Sequence, residues 1–152
     1  MPTIDRDGVR IHYDVHGSGP ALLLTHGFSA TGRMWDGQIE PLSRKFTVIT
    51  WDMRGHGDSD YPEDQSAYSE AATVADMAAL LDVVGAKSAV VGGLSLGGYM
   101  SLAFHLAHPE RTRALLIIDT GPGYKNDEAR EGWNANALRQ AERFETRGLG
   151  DT

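Results

Sequence analysis

Hydrophobic and polar residues change rhythm several times along the chain. Between Val9 and His16 they alternate strictly, with Val9, Ile11, Tyr13 and Val15 on one side and Arg10, His12, Asp14 and His16 on the other. That two-residue period predicts a half-buried strand, and Asp7-Gly8 just before it predicts a hairpin turn. Ala21 to Thr25, Phe46 to Trp51, Ser88 to Val91 and Arg113 to Asp119 are short continuous apolar runs, which suit strands covered on both faces. Elsewhere the spacing becomes helical. Met34 to Leu42 predicts a short helix, and Val74, Met77, Leu80, Leu81 and Val84 form one stripe of a helix stopped by Gly85. Leu96, Met100, Ala103, Phe104 and Ala107 form another, stopped ahead of Pro109 because the residue before proline avoids helical angles. Strands alternating with helices predict an α/β fold: a mostly parallel twisted sheet flanked by helices, with ligands gathering at the carboxyl ends of the strands.

Four loops meet at those ends: His26-Gly27-Phe28, Asp52 to Ser59, the turn at Ser95, and Asp119. The turn is the sharpest, because the Gly93-Leu94-Ser95-Leu96-Gly97 pattern lies where a strand passes straight into a helix. Such a reversal brings the residues two before and two after its apex almost into contact, which suits glycines. Ser95 then takes a strained backbone conformation, its side chain stands clear of the sheet, and the Leu96 amide at the helix start is available to an oxyanion. Ser95 is accordingly the candidate nucleophile. With 18 glycines in 152 residues, the pattern taken alone also fits a glycine-rich turn carrying a surface serine.

Composition narrows the field. Hydrophobic residues make up 41% and charged residues 23%, ordinary for a globular domain. A formal net charge of −7 argues against nucleic acid and anionic membranes as partners. The absence of cysteine excludes disulfides, thiolate metal sites and a cysteine nucleophile. No apolar stretch approaches membrane-spanning length and the first residues do not form a signal peptide, so a cytoplasmic chain is expected. His12 and His16 share a strand face but stand about 13 Å apart, too far to share one metal ion. No metal and no cofactor are expected.

Taken in order, these pieces resemble the α/β-hydrolase family: His26-Gly27-Phe28, Trp35, Asp52-Met53-Arg54-Gly55-His56-Gly57-Asp58-Ser59, Gly93-Leu94-Ser95-Leu96-Gly97-Gly98 and His108-Pro109-Glu110-Arg111. The resemblance runs from about Ile4 to Asp119. It implies a serine hydrolase acting on a carboxylic ester or related acyl substrate through an acyl-enzyme at Ser95, with the backbone amides of Phe28 and Leu96 as the oxyanion hole. It further implies that Gly27, Phe28, Met34 and Trp35 border a pocket for a small ester-like molecule, although Phe28, Met34 and Trp35 equally suit core packing. His26, His56 and Arg54 read as loop structure. Leu94 and Leu96 depart from the residues the family often places there.

In this family an acid and then a histidine follow the serine. After Ser95 the histidines are His105 and His108, both on the following helix. His105 lies about 15 Å along the axis, against roughly 3 Å for contact, so neither serves as the base. Asp119 is a candidate acid, its plainer reading being a loop-capping carboxylate. Residues 1–121 therefore read as the first part of the hydrolase core, and 122–152 resemble the start of a helical lid. The expectation is a truncated hydrolase, weak or inactive by itself, whose open sheet edge at Leu115 to Ile118 pairs with another copy or a complementary C-terminal segment. Other readings are a non-catalytic ligand-binding or assembly module, and a C–C bond hydrolase or cofactor-free peroxidase of the same family. Nucleophilic-Asp enzymes of this fold, the dehalogenases and epoxide hydrolases, are disfavoured by serine at position 95.

Overall fold

The computed structural model describes residues 2–121 and 123–148. Its elements in order are β1 (Thr3–Arg6), β2 (Val9–His16), β3 (Ala21–Thr25), a 3-10 turn (Gly32–Trp35), α1 (Asp36–Ser43), β4 (Thr47–Trp51), α2 (Glu70–Val83), β5 (Ala89–Leu94), α3 (Leu96–Ala107), β6 (Thr112–Ile118) and α4 (Asp127–Arg147). The strands form one sheet in the order β1-β2-β4-β3-β5-β6. β1 and β2 run antiparallel to their neighbours, and β4, β3, β5 and β6 are parallel. The β1–β2 hairpin turns at Asp7 and Gly8, with φ of 58° and 83°, the left-handed pair that a two-residue hairpin needs.

Alternation along the central strands sorts their side chains onto two faces. Leu23 of β3 and Ile49 and Trp51 of β4 pack with Met77, Leu80 and Leu81 of α2 and Phe104 of α3. Leu22 and Leu24 of β3 and Val48 of β4 pack with Trp35 and Leu42. The sheet is thus covered on both faces at its centre, which is why its sequence there is continuously apolar rather than alternating.

Two expectations need correction. The segment from Met34 begins as the 3-10 turn and becomes an α-helix only at Asp36. The two faces of β2 are not simply wet and dry, because His12 is buried and Val15 exposed. The loop after β4 covers the His12 side: the His12 N–H donates to Ser59 Oγ (2.8 Å), the Asp60 N–H to Arg10 O (2.9 Å), and Arg10 pairs with Asp60. The segment expected to open a lid forms one helix, α4, capped by Asn126 Oδ1 accepting from the Ala129 N–H and stopped at Gly148, φ 73°.

The chain divides into two compact units, Met1–Gly121 and Pro122–Thr152. Among the described residues no helix is long and apolar enough to cross a membrane.

The loop after β4 is tied to α2 by a buried cluster. Asp76 is fully buried and accepts from Arg54 Nε (2.7 Å) and Nη2 (2.9 Å) and from Arg6 Nε (3.3 Å). Arg54 thus braces the loop, as its sequence context suggests. Removing one partner of a buried pair strands the other charge, so Asp76→Ala is expected to cost about 3–5 kcal/mol in urea unfolding. A loss under about 1 kcal/mol, the scale of an exposed pair, contradicts the bracing role.

Candidate active site

The turn at Ser95 is shaped by what cannot fit around it. A Cβ on Gly93 would lie 2.4 Å from the Gly97 carbonyl carbon and 2.5 Å from Thr25 O; one on Gly97 would lie 2.2 Å from Thr25 O and 2.6 Å from His26 O. Both glycines are therefore sites of close backbone approach, as the spacing implied. Between them Ser95 has φ 78° and ψ −103°, a conformation that costs a residue with a side chain about 1–3 kcal/mol.

That strain is held by hydrogen bonds to the end of β6. The Ser95 N–H donates to Ile118 O (3.0 Å) and Thr120 Oγ1 (3.2 Å). The Thr120 hydroxyl proton has Ser95 O at 3.1 Å and Ile118 O at 2.9 Å within reach. Ser95 O also accepts from the Tyr99 N–H (3.0 Å) at the first turn of α3. Gly98 makes room for this clamp, since a Cβ there would meet Thr120 Oγ1 at 2.0 Å. Thr120 escaped the sequence reading, because a lone threonine after a strand carries no distinguishing pattern.

Of the other expected site residues, Gly27 stands beside the turn: a Cβ built on it would lie 3.7 Å from Ser95 Cβ and 3.0 Å from Leu94 Cδ2. Phe28 follows on the same loop, 59% exposed, its ring edge-on to His56 at 6.4 Å. Leu96 opens α3, where an amide has no partner in the preceding helical turn. Trp35 is only 6% exposed and lies in the smaller core cluster, with Met34, Leu94 and Ile118 packed against it. Asp119 is exposed at the end of β6 with φ 48°, next to the Thr120 clamp. The structure thus brings Ser95, Gly27, Leu96 and Thr120 into one neighbourhood.

No histidine is hydrogen-bonded to Ser95 among the described residues. His26 has both ring nitrogens engaged: Nδ1 lies 2.7 Å from Gly27 O, and Nε2 accepts from the Met53 N–H at 3.0 Å. It joins the loops after β3 and β4, the structural role its context suggested. His56 Nδ1 lies 3.0 Å from Arg54 O. Ligand-bearing groups gather elsewhere: His12, Asp52 and Asp58 present atoms within 4.8 Å of one another, a grouping outside the sequence reading because His12 lies within β2 and the two aspartates in the loop after β4.

Burial holds the His26 imidazole below its ordinary pKa; the Gly27 hydrogen bond opposes this, neighbouring His56 adds to it and Asp52 opposes it. The unfolded chain therefore binds a proton that the folded chain resists. Stability falls as pH drops through the unfolded value of about 6.5 toward the lower folded value, and is unaffected by this group above that range. Urea unfolding between about pH 7 and 5 is expected to show a shallower acid loss for His26→Gln than for the native chain; equal slopes contradict the assignment.

A family model described as the alpha/beta hydrolase fold matches residues 20–147. Bifunctional epoxide hydrolase 2 of Mus musculus is 37% identical over 116 residues, 76% of this chain and 21% of that protein. An uncharacterized protein of Mycobacterium bovis is 37% identical over 114 residues, 75% of this chain and 33% of that one. Among solved structures, a thermophilic esterase from Thermogutta terrifontis is 34% identical with a TM-score of 0.82, covering 97% of this chain and 53% of that one. Est816, described as an N-acyl homoserine lactone degrading enzyme, is 32% identical with a TM-score of 0.76, covering 90% and 53%. The chain spans a third or less of these two curated relatives and about half of these solved chains. With the match reaching across most of its residues and the strained turn falling inside it, this chain belongs to the α/β-hydrolase family.

Proposed function

We propose that this chain carries the nucleophile of a serine hydrolase acting on carboxylic esters or related acyl substrates. The observation that supports this most is the positive φ of Ser95 between two glycines that leave no room for a Cβ. In the proposed reaction Ser95 Oγ attacks the substrate carbonyl carbon as its proton passes to a base. The negative charge on the carbonyl oxygen is held by the main-chain N–H groups of Phe28 and Leu96. Collapse of the tetrahedral adduct breaks the bond to the leaving alkoxide, which takes the proton and departs as alcohol. Water then attacks the acyl-serine and releases the acid. Each oxyanion donor is worth about 3–4 kcal/mol of transition-state stabilisation.

Relatives include an epoxide hydrolase and an esterase, and serine at position 95 favours acyl chemistry. Attack of a hydroxyl on an epoxide carbon would leave an alkyl ether, with no carbonyl for water to attack in a second step. An acyl-serine has that carbonyl. Gly27 and Phe28, beside the turn, are the proposed substrate contacts, whereas buried Trp35 and its neighbour Met34 support the loop by packing.

The base is proposed to be a histidine outside these residues, since the six histidines present make no bond to Ser95. Asp119, exposed one residue before the clamp, is retained as its candidate acidic partner. β6 ends the sheet, and a complementary segment pairing there would arrive beside Ser95. The substrate is a small molecule; no nucleic acid or membrane partner and no cofactor is proposed, and a cytoplasmic location is retained as part of this reading. Saturable ligand binding that survives Ser95→Ala, with no turnover in the longer protein, would instead favour a non-catalytic receptor. Activity confined to carbon–carbon bonds or peroxide would favour the other family chemistries.

The isolated chain is expected to hydrolyse a chromogenic ester slowly, and a longer protein supplying the histidine rapidly. Ser95→Ala should lower that rapid turnover by about a thousandfold or more. Fast Ser95-dependent turnover by the homogeneous chain alone contradicts the placement of the base. Thr120→Val, which removes the clamp hydroxyl while keeping its shape, is expected to lower kcat about tenfold with KM little changed, and Thr120→Ser to restore it; an unaltered kcat in the valine variant contradicts the clamp.

A further inference from the structure

Away from the serine turn, one deeply buried polar side chain is left half satisfied beside a cavity of its own. His12 is 7% exposed, and its Nε2 has no hydrogen-bond partner among the described residues. Leaving such an atom unpaired costs about 1–3 kcal/mol. The other ring nitrogen, Nδ1, lies 3.1 Å from Asp52 Oδ2. That carboxylate is itself anchored, accepting from the Gly32 N–H (2.7 Å) and the Asp58 N–H (2.9 Å). A carboxylate accepts, so Nδ1 carries the proton, and in the neutral ring Nε2 then has the lone pair.

Asp14 lies beside that nitrogen, with Oδ2 3.6 Å from Nε2. This separation is too long for a hydrogen bond. It does match two ligands of one ion, since bonds of about 2.0–2.2 Å at the tetrahedral angle place ligand atoms about 3.3–3.6 Å apart. A histidine that donates one N–H to a carboxylate while offering the other nitrogen is the usual arrangement behind a metal ion, the carboxylate fixing tautomer and ring orientation. Both residues line a cavity of about 610 Å³ with His16, Asp36, Asp52 and Asp58, which leaves room for water to complete the coordination. The strand geometry that keeps His12 and His16 apart does not apply to Asp14, two residues along the same face.

We propose that His12 Nε2 and Asp14 bind a divalent transition-metal ion of the zinc class, with Asp52 as the residue that orients His12. The imidazole nitrogen selects such an ion over magnesium or calcium, which take oxygen ligands. The site stands apart from the proposed acyl chemistry and does not depend on it.

The test is titration of the purified chain with zinc chloride in a non-chelating buffer, followed by calorimetry and by imidazole ¹⁵N spectra. One saturable equivalent is expected, with the ion moving the His12 Nε2 resonance rather than Nδ1. Asp14→Asn, a change at a side chain 42% exposed, should weaken binding by about tenfold or more without unfolding the chain. His12→Gln should abolish binding, and circular dichroism reports whether that variant folds; if it does not, the Asp14→Asn result decides. Absence of saturable binding up to about 1 mM zinc, or equal affinity in Asp14→Asn, overturns the proposal.

Discussion

Everything around the candidate site depends on one close approach, that of the β5–α3 turn to the backbone at the end of β3. Gly93 and Gly97 meet Thr25 O, and Gly97 also meets His26 O, at distances that exclude any Cβ. With the chain pressed that tightly, the residue between them has no ordinary conformation left, and Ser95 takes φ 78°. Strain of this size persists only when its surroundings over-determine it. Here they do so through the parallel pairing of β3 with β5 and β5 with β6, and through Thr120 reaching both the N–H and the carbonyl of Ser95.

The loops after β3 and β4 are held by a second set of constraints. His26 spends both ring nitrogens on the main chain, joining the loop after β3 to the loop after β4. Asp52 ties that second loop to Gly32 and to His12, and Gly57 is needed because a Cβ there would lie 2.2 Å from Asp52 Oδ2. Arg54 and Asp76 anchor it to α2. Asp52, Arg54 and Ser59 thus hold this segment to the 3-10 turn, to β2 and to α2.

Much of this was legible in sequence. The glycine spacing about Ser95 has a steric meaning independent of context, and the continuous apolar runs announced strands buried on both faces. The alternation in β2 misled on His12 and Val15 because a distant loop folds over the supposedly wet face, which local periodicity does not encode. Trp35 was ambiguous for a related reason: an aromatic residue near a site reads alike whether it lines a pocket or fills the layer beneath. The Thr120 clamp and the nearness of Asp14 to His12 depend on atomic distances that no residue pattern carries.

The proposed reaction requires the strained Ser95 to present its hydroxyl to the main-chain amides of Phe28 and Leu96. A crystal structure of the chain treated with an arylboronic acid tests this directly. The account predicts boron bonded to Ser95 Oγ, a Ser95 φ that remains positive, and one boronate oxygen within hydrogen-bond reach of both the Phe28 and Leu96 amides. A Ser95 relaxed to negative φ, or a boronate oxygen turned away from those amides, would contradict it.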